Sequence, residues 1–570
     1  MGIIQLCASW MLGSMVTSLI LWVTSFFFRI CSLHVIVIMI FQFFISFKIR
    51  FGKTFPKRKF FSYSSFEATI SLYLCLLLVS FVSLAYLIKL FRDYPEKMPT
   101  VGLSLIEYEN TMIQSILYGV NAPRKSFLCF SDPFVSNLCI TSSSLPYIFQ
   151  SCLCVLGASF ESSSSIIAFF NILSTAMAIY YFSSSYSSRN ISISLMFLFN
   201  SSWSILIYYF NENGSPEVIH GTGRLKYTPW HQIMAVYLVF SKELSFSIPM
   251  TIFAMAIAQI STKKRIARLY ILSGIIGCLI PNFLMSMAFF ATSSCYISSA
   301  KYVLPFSLLS LIKLKYSPVE FNPIWREYQF QGIYFSEIIV WFDCMGPIFL
   351  FLLFIPFYLK DQLLLHRFIN GVSAMLFLSL FREGKDTINT SASITAISFP
   401  ILITAFIESF ERMKNKCSND YINGVIAFFE LFMNFIVVCG GILILLRVSS
   451  DMTKGIDNDD SNISLFIKDN VHFNEKILTD SLPMNPVYFL LGRQVFYGSS
   501  KNTWKRGSKI YHHADQYYEM LNSELYQNVM KRNRLKFVLQ SKKHPLFVKN
   551  ASNFSEMYHN KKWVVYRLND

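Results

Sequence analysis

Glu107 and Glu109 stand two residues apart in "SLIEYENTMIQSILYGVN", a stretch whose later part has helical periodicity. They belong to a polar segment that also holds Asp93, Glu96 and Asp132. A carboxylate just outside a membrane, beside a groove between helices, can accept a proton from a sugar hydroxyl or hold a divalent metal ion against a lipid phosphate. The bland alternative is a set of ordinary solvated loop acids. Farther on, "FREGKDTINTS" offers Arg382, Lys385 and Asp386. Basic groups there can grip a lipid-linked pyrophosphate through charge-assisted hydrogen bonds, or merely solvate a helical hairpin. "WHQIMAVYLVFSKELSF" brings Trp230, His231, Lys242 and Glu243 to a membrane entry point, where aromatics and long cations also serve as plain interfacial anchors. "HGTGR", His220 to Arg224, has neither a preceding strand nor a Gly-Lys-Ser/Thr ending, and so is no phosphate loop.

The elements that must hold these groups are apolar. Of 570 residues, 53% are hydrophobic, 17% aromatic and only 15% charged, and 57 are Phe, the composition of a polytopic membrane protein. A bilayer core of roughly 30 Å takes about 20 apolar residues per helical crossing. Candidate spans fall near 3–28, 31–47, 69–91, 166–182, 192–210, 243–260, 269–290, 335–358, 368–382, 392–409 and 423–447, about eleven crossings. Ser144 to Phe160 is apolar but short, and reads as an interfacial or re-entrant helix. The spans hold few ionisable residues, with no acid chain and no arginine ladder, which argues against a proton-coupled carrier or a voltage sensor. Neither internal repeats nor a midplane polar site favours a transporter.

The net charge of +17 sits largely in short loops beside apolar spans, where topology and anionic lipid head groups account for it better than a nucleic-acid partner. "KIRFGKTFPKRKF", Lys48 to Phe60, has six basic residues and no acid, and is expected on the cytoplasmic side. Counting spans from there puts "STKKRIAR" and "ERMKNK" on that same side, the N-terminus in the cytoplasm, and segments 92–143, 211–242 and the tail in a lumen, that of the endoplasmic reticulum or another endomembrane. The N-terminal stretch lacks a basic n-region and reads as an uncleaved span, and Leu6 stands where myristoylation needs Ser or Thr. N-x-S triplets at Asn389, Asn462, Asn550 and Asn553 agree with this sidedness, while those at Asn190 and Asn200 fall out of lumenal reach. The 12 Cys are scattered; Cys129 and Cys139 either pair across a lumenal loop or remain free small hydrophobes.

The chain thus divides into 1–68, the first spans and a basic loop; 69–447, the main transmembrane domain; and 448–570, a lumenal α/β domain. The expected fold is an α-helical polytopic membrane protein with a small C-terminal α/β extracytoplasmic domain. In that tail Pro486, Gly492, Arg493, Phe496, Gly498, Trp504, Gly507 and Tyr511 form a pattern, and "FSEMYHNKKWVVYRL" forms a closing strand pair. This pattern resembles the extracytoplasmic end of polytopic GT-C-like glycosyltransferase-related membrane proteins. "LIEYENTMIQSILYGVN" resembles that group's first-loop segment with its acid, and the segment from Ser144 resembles its surface helix. "WHQIMAVYLVFSKELSF" resembles a segment that carries Gln-Arg where this chain has Lys242 and Glu243. "FREGKDTINTS" resembles one reading Asp-Asn-x-Lys, of which Asp386 matches. The resemblance implies inverting transfer of a sugar from a polyprenyl-phosphate donor on the extracytoplasmic side. Glu107 or Glu109, with Asp132 near, would supply the acid, and Arg382, Lys385 and Arg493 would face the donor phosphate; His231, Lys242 and Asp386 are further site residues. The first-loop Asp is here a Glu, its usual His partner is absent and so is the Gln-Arg pair, which keeps open a non-catalytic scaffold that binds lipid or assists assembly.

Overall fold

The computed structural model describes residues 2–49, 65–100, 103–124, 130–140, 145–184, 186–200, 234–258, 319–321, 329–330, 333–334, 361–383, 387–450, 452–499, 511–522, 526–543 and 553–569. The chain opens with α1 (Gly2–Thr24), α2 (Ser32–Ile49), α3 (Ser65–Phe91), β1 (Lys97–Pro99) and α4 (Leu103–Leu117). A short hairpin, β2 (Phe130–Ser131) and β3 (Cys139–Ile140), leads to α5 (Leu145–Val155), α6 (Phe160–Ser183), α7 (Asn190–Phe199), α8 (Met234–Phe240) and α9 (Lys242–Ala258). Then come β4 (Val319–Phe321), β5 (Gln329–Phe330), β6 (Ile333–Tyr334), α10 (Gln362–Leu380), β7 (Phe381–Glu383), α11 (Thr387–Lys416), α12 (Asp420–Val448) and β8 (Met452–Lys454). The tail contains α13 (Asn458–Asn470), β9 (Ile477–Thr479), α14 (Pro486–Phe489), α15 (Tyr511–Asn522), α16 (Tyr526–Arg532), β10 (Phe537–Ser541), β11 (Phe554–His559) and β12 (Trp563–Leu568).

Among the described residues four helices are long and apolar enough to cross a membrane, Ile3–Thr24, Ile70–Phe91, Phe160–Ser183 and Asp420–Leu443, which makes this a multi-pass membrane protein. They meet four of the eleven expected spans, and the stretches at 269–290 and 335–358 lie outside the described residues. The α5 helix has 11 residues, about 16 Å at 1.5 Å per residue and short of a crossing. Burial ranks the helices: 78% of the α6 window is buried against 28% for α12, so α6 is the hub and α12 is peripheral. Large apolar side chains such as Phe41 and Phe44 on α2, Leu77 and Phe81 on α3, and Phe428 and Leu431 on α12 are exposed, as lipid-facing positions should be.

The two ends of the bundle differ. At one end the chain turns between α6 and α7 and between α11 and α12, and α10 begins. There Arg412 Nη2 is 2.6 Å from Glu408, Arg189 Nη1 2.8 Å and Lys414 Nζ 3.4 Å from Glu430. Arg367 also bonds Glu408, and Arg412 bonds Asp361. Glu408 and Glu430 are buried within two expected spans, acids that hydropathy absorbed without notice. Their cations come from the same helix (Arg412), from neighbouring helices (Arg367, Lys414) and from the N-cap of α7 (Arg189), as buried charges require.

The other end carries the polar matter. β1 pairs antiparallel with β8, tying the end of α3 to the end of α12. The tail forms a four-stranded sheet in the order β11-β12-β10-β9, in which β9 and β10 are parallel and the other pairs antiparallel. It docks on α4 through glycines. A Cβ on Gly119 would lie 2.1 Å from Gly492 O, and one on Gly492 would lie 2.2 Å from Ser115 N. Gly492 also has φ +58°, which disfavours any side chain. The gap is bridged by Val120 N donating to Gly492 O at 3.1 Å. Gly119→Ala should therefore push the two backbones apart at a cost of about 2–4 kcal/mol, read as a lowered melting temperature in detergent and faster proteolytic release of the tail.

Asp480, just past β9, is fully buried. Burial pushes its carboxyl up to about 6, although Asn485 and nearby amides favour the charged form. The native state holds this proton more tightly than the unfolded chain, whose value is 3.8. Stability from this group is thus present below pH ~4, is lost as pH rises through about 6, and is flat beyond; the loss is on the order of 3 kcal/mol. Asp480→Asn should remove that slope and raise the melting temperature at pH 7, as thermal melts across pH 4–7 would register.

Candidate functional site

The α4 helix has 15 residues, and Glu107, Glu109 and Asn110 are among its buried ones. Positions i and i+2 on a helix point about 200° apart, so the two acids cannot share a site unless the helix deforms. Glu107 faces the tail. Its Oε1 accepts from Met484 N at 2.7 Å and from the Tyr488 hydroxyl at 3.0 Å, and Asn110 donates to Phe489 O at 2.9 Å. The receiving segment is built locally: Asn485 caps α14 by accepting from Val487 N, while its amide donates to Thr479 Oγ1 and Asp480 Oδ1. Met484 adopts φ +56°, a left-handed conformation costly for a side-chain-bearing residue, and the carboxylate of Glu107 secures it there. The Tyr488 phenol is pushed well above its usual range by burial and by Glu107, so it remains a donor.

Glu109 faces the membrane bundle. Its Oε1 accepts the main-chain N–H of Lys242 at 2.8 Å, and its Oε2 lies 3.9 Å from Lys242 Nζ. Lys242 is the first residue of α9, and its amide is one of the orphan donors that every helix start presents. Ser241 supplies a further cap, its Oγ accepting from Leu244 N at 3.4 Å. A carboxylate at this spot is favoured by the helix dipole as well as by the ammonium. The pair is enclosed, with side chains 4% and 1% exposed, in a setting where only mutual compensation keeps both charges.

Around the pair is a group that sequence reasoning did not assemble. Glu243 follows Lys242 and is half-buried, with the Tyr147 hydroxyl of α5 donating to its Oε1 at 3.4 Å. Burial first, then the charge of Glu243, pushes the Tyr147 phenol well above its usual range; Glu109 acts on it too. Tyr94 is raised by burial and by Glu161 and Glu109, so Glu161, half-buried at the start of α6, belongs to the same electrostatic neighbourhood. Tyr108 packs edge-on against Tyr147 at 5.7 Å and stacks on Phe134 at 5.9 Å. The hints in sequence were adjacency of Glu243 to Lys242 and of Glu161 to the capping Ser159, which do not reveal that three chain segments meet.

The other sequence candidates lie elsewhere. Asp132 is buried in the β2–β3 loop, where its Oδ1 accepts from Phe134 N at 3.0 Å and its carbonyl from Gln494 at 2.9 Å. Arg493 is buried; it donates to Val471 O at 2.8 Å and Lys468 O at 3.3 Å, satisfying the carbonyls that α13 leaves open at its C-terminus. Arg382 lies in β7, in register with Glu320 of β4. His231, Lys385, Asp386 and Cys129 lie outside the described residues. Among the described residues no group of three His, Cys, Asp or Glu side chains is arranged to hold a metal ion. Lys242→Met should leave Glu109 buried and uncompensated at a cost of about 3–5 kcal/mol; adding Glu109→Gln should restore much of that, a cycle readable from melting temperatures in detergent.

No protein-family model matches the sequence, and neither does any curated protein. Among solved structures the chain is similar to the oligosaccharyltransferase of Archaeoglobus fulgidus tethered with an acceptor peptide, with 10% identity, TM-score 0.44 and coverage of 83% of this chain and 69% of that one. It is similar to the arabinofuranosyltransferase AftD from Mycobacteria, with 9% identity, TM-score 0.49 and coverage of 87% and 41%. It is also similar to ArnT from Cupriavidus metallidurans, with 10% identity, TM-score 0.42 and coverage of 88% and 98%. These are GT-C glycosyltransferases, the group that the sequence motifs resemble; similarity at this level concerns the course of the chain, and what this protein does must rest on its own side chains.

Proposed function

We propose that the chain is a GT-C-like membrane glycosyltransferase that moves a sugar from a polyprenyl-phosphate donor to an acceptor on the lumenal side of an endomembrane. The observation that carries this reading is the enclosed Glu109–Lys242 pair at the head of α9 with the half-buried Glu243 and Tyr147 beside it. Carboxylates of different exposure at a membrane surface suit acid–base work on a hydroxyl. In the proposed step Glu243 accepts the acceptor's hydroxyl proton, the acceptor oxygen bonds the sugar's C1, and the C1–O bond to phosphate breaks with its electron pair leaving on the lipid phosphate. Glu109 and Lys242 hold the first turn of α9 in place for Glu243. Arg382 and Lys385 are the proposed cations for the leaving phosphate, since Arg493 spends its donors on α13. The sidedness is supported by the cationic last turn of α11, with Lys414 and Lys416, at the end of the bundle away from the tail.

A second reading, a scaffold that binds the lipid without transferring sugar, is favoured by Glu107 and Arg493, whose polar atoms serve the protein's own backbone. The chain in nanodiscs, supplied with a polyprenyl-phosphate hexose and an acceptor, separates the two. Glu243→Gln and Glu109→Gln should each slow transfer by about 10²-fold or more, Glu243→Gln with little change in melting temperature. Glu107→Gln should act mainly on stability. Transfer at the wild-type rate by correctly inserted Glu109→Gln and Glu243→Gln overturns the mechanism; retention of the lipid donor with no transfer by the wild-type protein favours the scaffold.

A further inference from the structure

Asn171 is fully buried near the middle of α6, where no water reaches an amide inside a bilayer. Its side chain is met on both sides: Trp10 Nε1 of α1 donates to its Oδ1 at 3.0 Å, and its Nδ2 donates to Ser245 Oγ of α9 at 3.0 Å. An indole N–H only donates, so the amide has one orientation, oxygen toward α1 and nitrogen toward α9. That nitrogen makes Ser245 Oγ an acceptor and sends the serine proton to Lys242 O at 2.9 Å. The main-chain N–H of Lys242 then donates to Glu109 Oε1 at 2.8 Å. Four hydrogen bonds therefore run in one direction, from α1 through α6 and α9 into α4.

We infer that Asn171 is a positioning residue for the Glu109–Lys242 pair, fixing the depth and rotation of the first turn of α9. A slip of one residue turns a helix by about 100°, which would carry the Lys242 amide and ammonium away from the carboxylate. Apolar packing alone resists such a slip weakly, because lipid and a neighbouring helix offer a leucine similar surroundings; the donor-only indole and the paired amide define one register. The effect on catalysis rests on the function proposed above, whereas the effect on Lys242 does not.

The test uses the full chain in nanodiscs with Asn171→Leu, Ser245→Ala and the double variant. Turnover and KM for sugar transfer are measured beside hydrogen–deuterium exchange of the segment 241–245. Each single variant should lower kcat about tenfold with KM within about twofold and speed exchange at Lys242 by a similar factor. The double variant should be no worse than either single, since both sever the same bond. Trp10→Phe, which keeps an aromatic side chain but removes the pyrrole ring with its orienting N–H, should show a smaller change of the same kind and serves should Asn171→Leu insert poorly. Wild-type exchange at 241–245 in these variants, or effects that multiply in the double variant, overturns the inference. If the wild-type protein transfers no sugar, the functional proposal falls, and the exchange measurement still decides the positioning role.

Discussion

Everything at the polar end of this protein depends on one helix that must satisfy two buried carboxylates on opposite faces. Glu107 finds its donors in the C-terminal tail and Glu109 finds its donors in the membrane bundle. An unpaired buried carboxylate is far costlier than an ordinary packing defect. The α4 helix therefore works as a coupling between the bundle and the tail, and neither can rotate against it without stranding a charge. The glycine contact at Gly119 and Gly492 acts in the same sense, because it brings the tail's backbone directly onto the C-terminal end of that helix.

This coupling changes the meaning of the first-loop acids. By residue type Glu107 and Glu109 are equivalent, and by spacing they look like a pair. The helical rotation between them separates their surroundings: one contact set is a backbone amide and a phenol, the other a helix start and a lysine. The first set holds a left-handed Met484 in place and looks structural. The second lies beside two half-buried acids and a ring of tyrosines, an environment in which proton affinity can be tuned. An aromatic series, Tyr147 to Tyr108 to Phe134 to Tyr488, connects the two sides through ring contacts of 5.7, 5.9 and 5.0 Å.

Hydropathy made several membrane helices legible, α1, α3, α6 and α12 among them, because a run of apolar residues is a property of composition. The short α5 was legible for the same reason. What sequence could not give was which face each polar residue presents. Asn171 sits in a Ser-rich apolar helix and reads as background, yet it is tied to Trp10 and Ser245, 161 and 74 residues away. Glu408 and Glu430 were hidden by the apolar average around them; Arg412 answers Glu408 at i,i+4 on the same helix, but their compensation by Arg367, Arg189 and Lys414 depends on neighbours that no local pattern encodes. The resemblance set Arg493 toward the donor phosphate; its side chain donates to carbonyls at the end of a helix more than twenty residues earlier, a pairing that no local pattern encodes.

The contrast between the bundle's two ends bears on where chemistry can occur. At the turn end, Asp361, Glu408, Glu411 and Glu430 are matched by Arg189, Arg367, Arg412 and Lys414 across several helices. Each of these charges has a fixed opposite, and moving any one exposes another to an apolar surrounding, so that end is suited to holding the helices together. At the α4 end Lys242 pairs with Glu109, Glu243 follows it in the chain, and the phenol of Tyr147 donates to Glu243. In the proposed function Glu243, with a neutral phenol beside it, is the acceptor that a hydroxyl losing its proton needs. An anionic phosphate would be repelled by those acids, so in the proposed function its charge is answered by cations from another segment of the chain, Arg382 and Lys385.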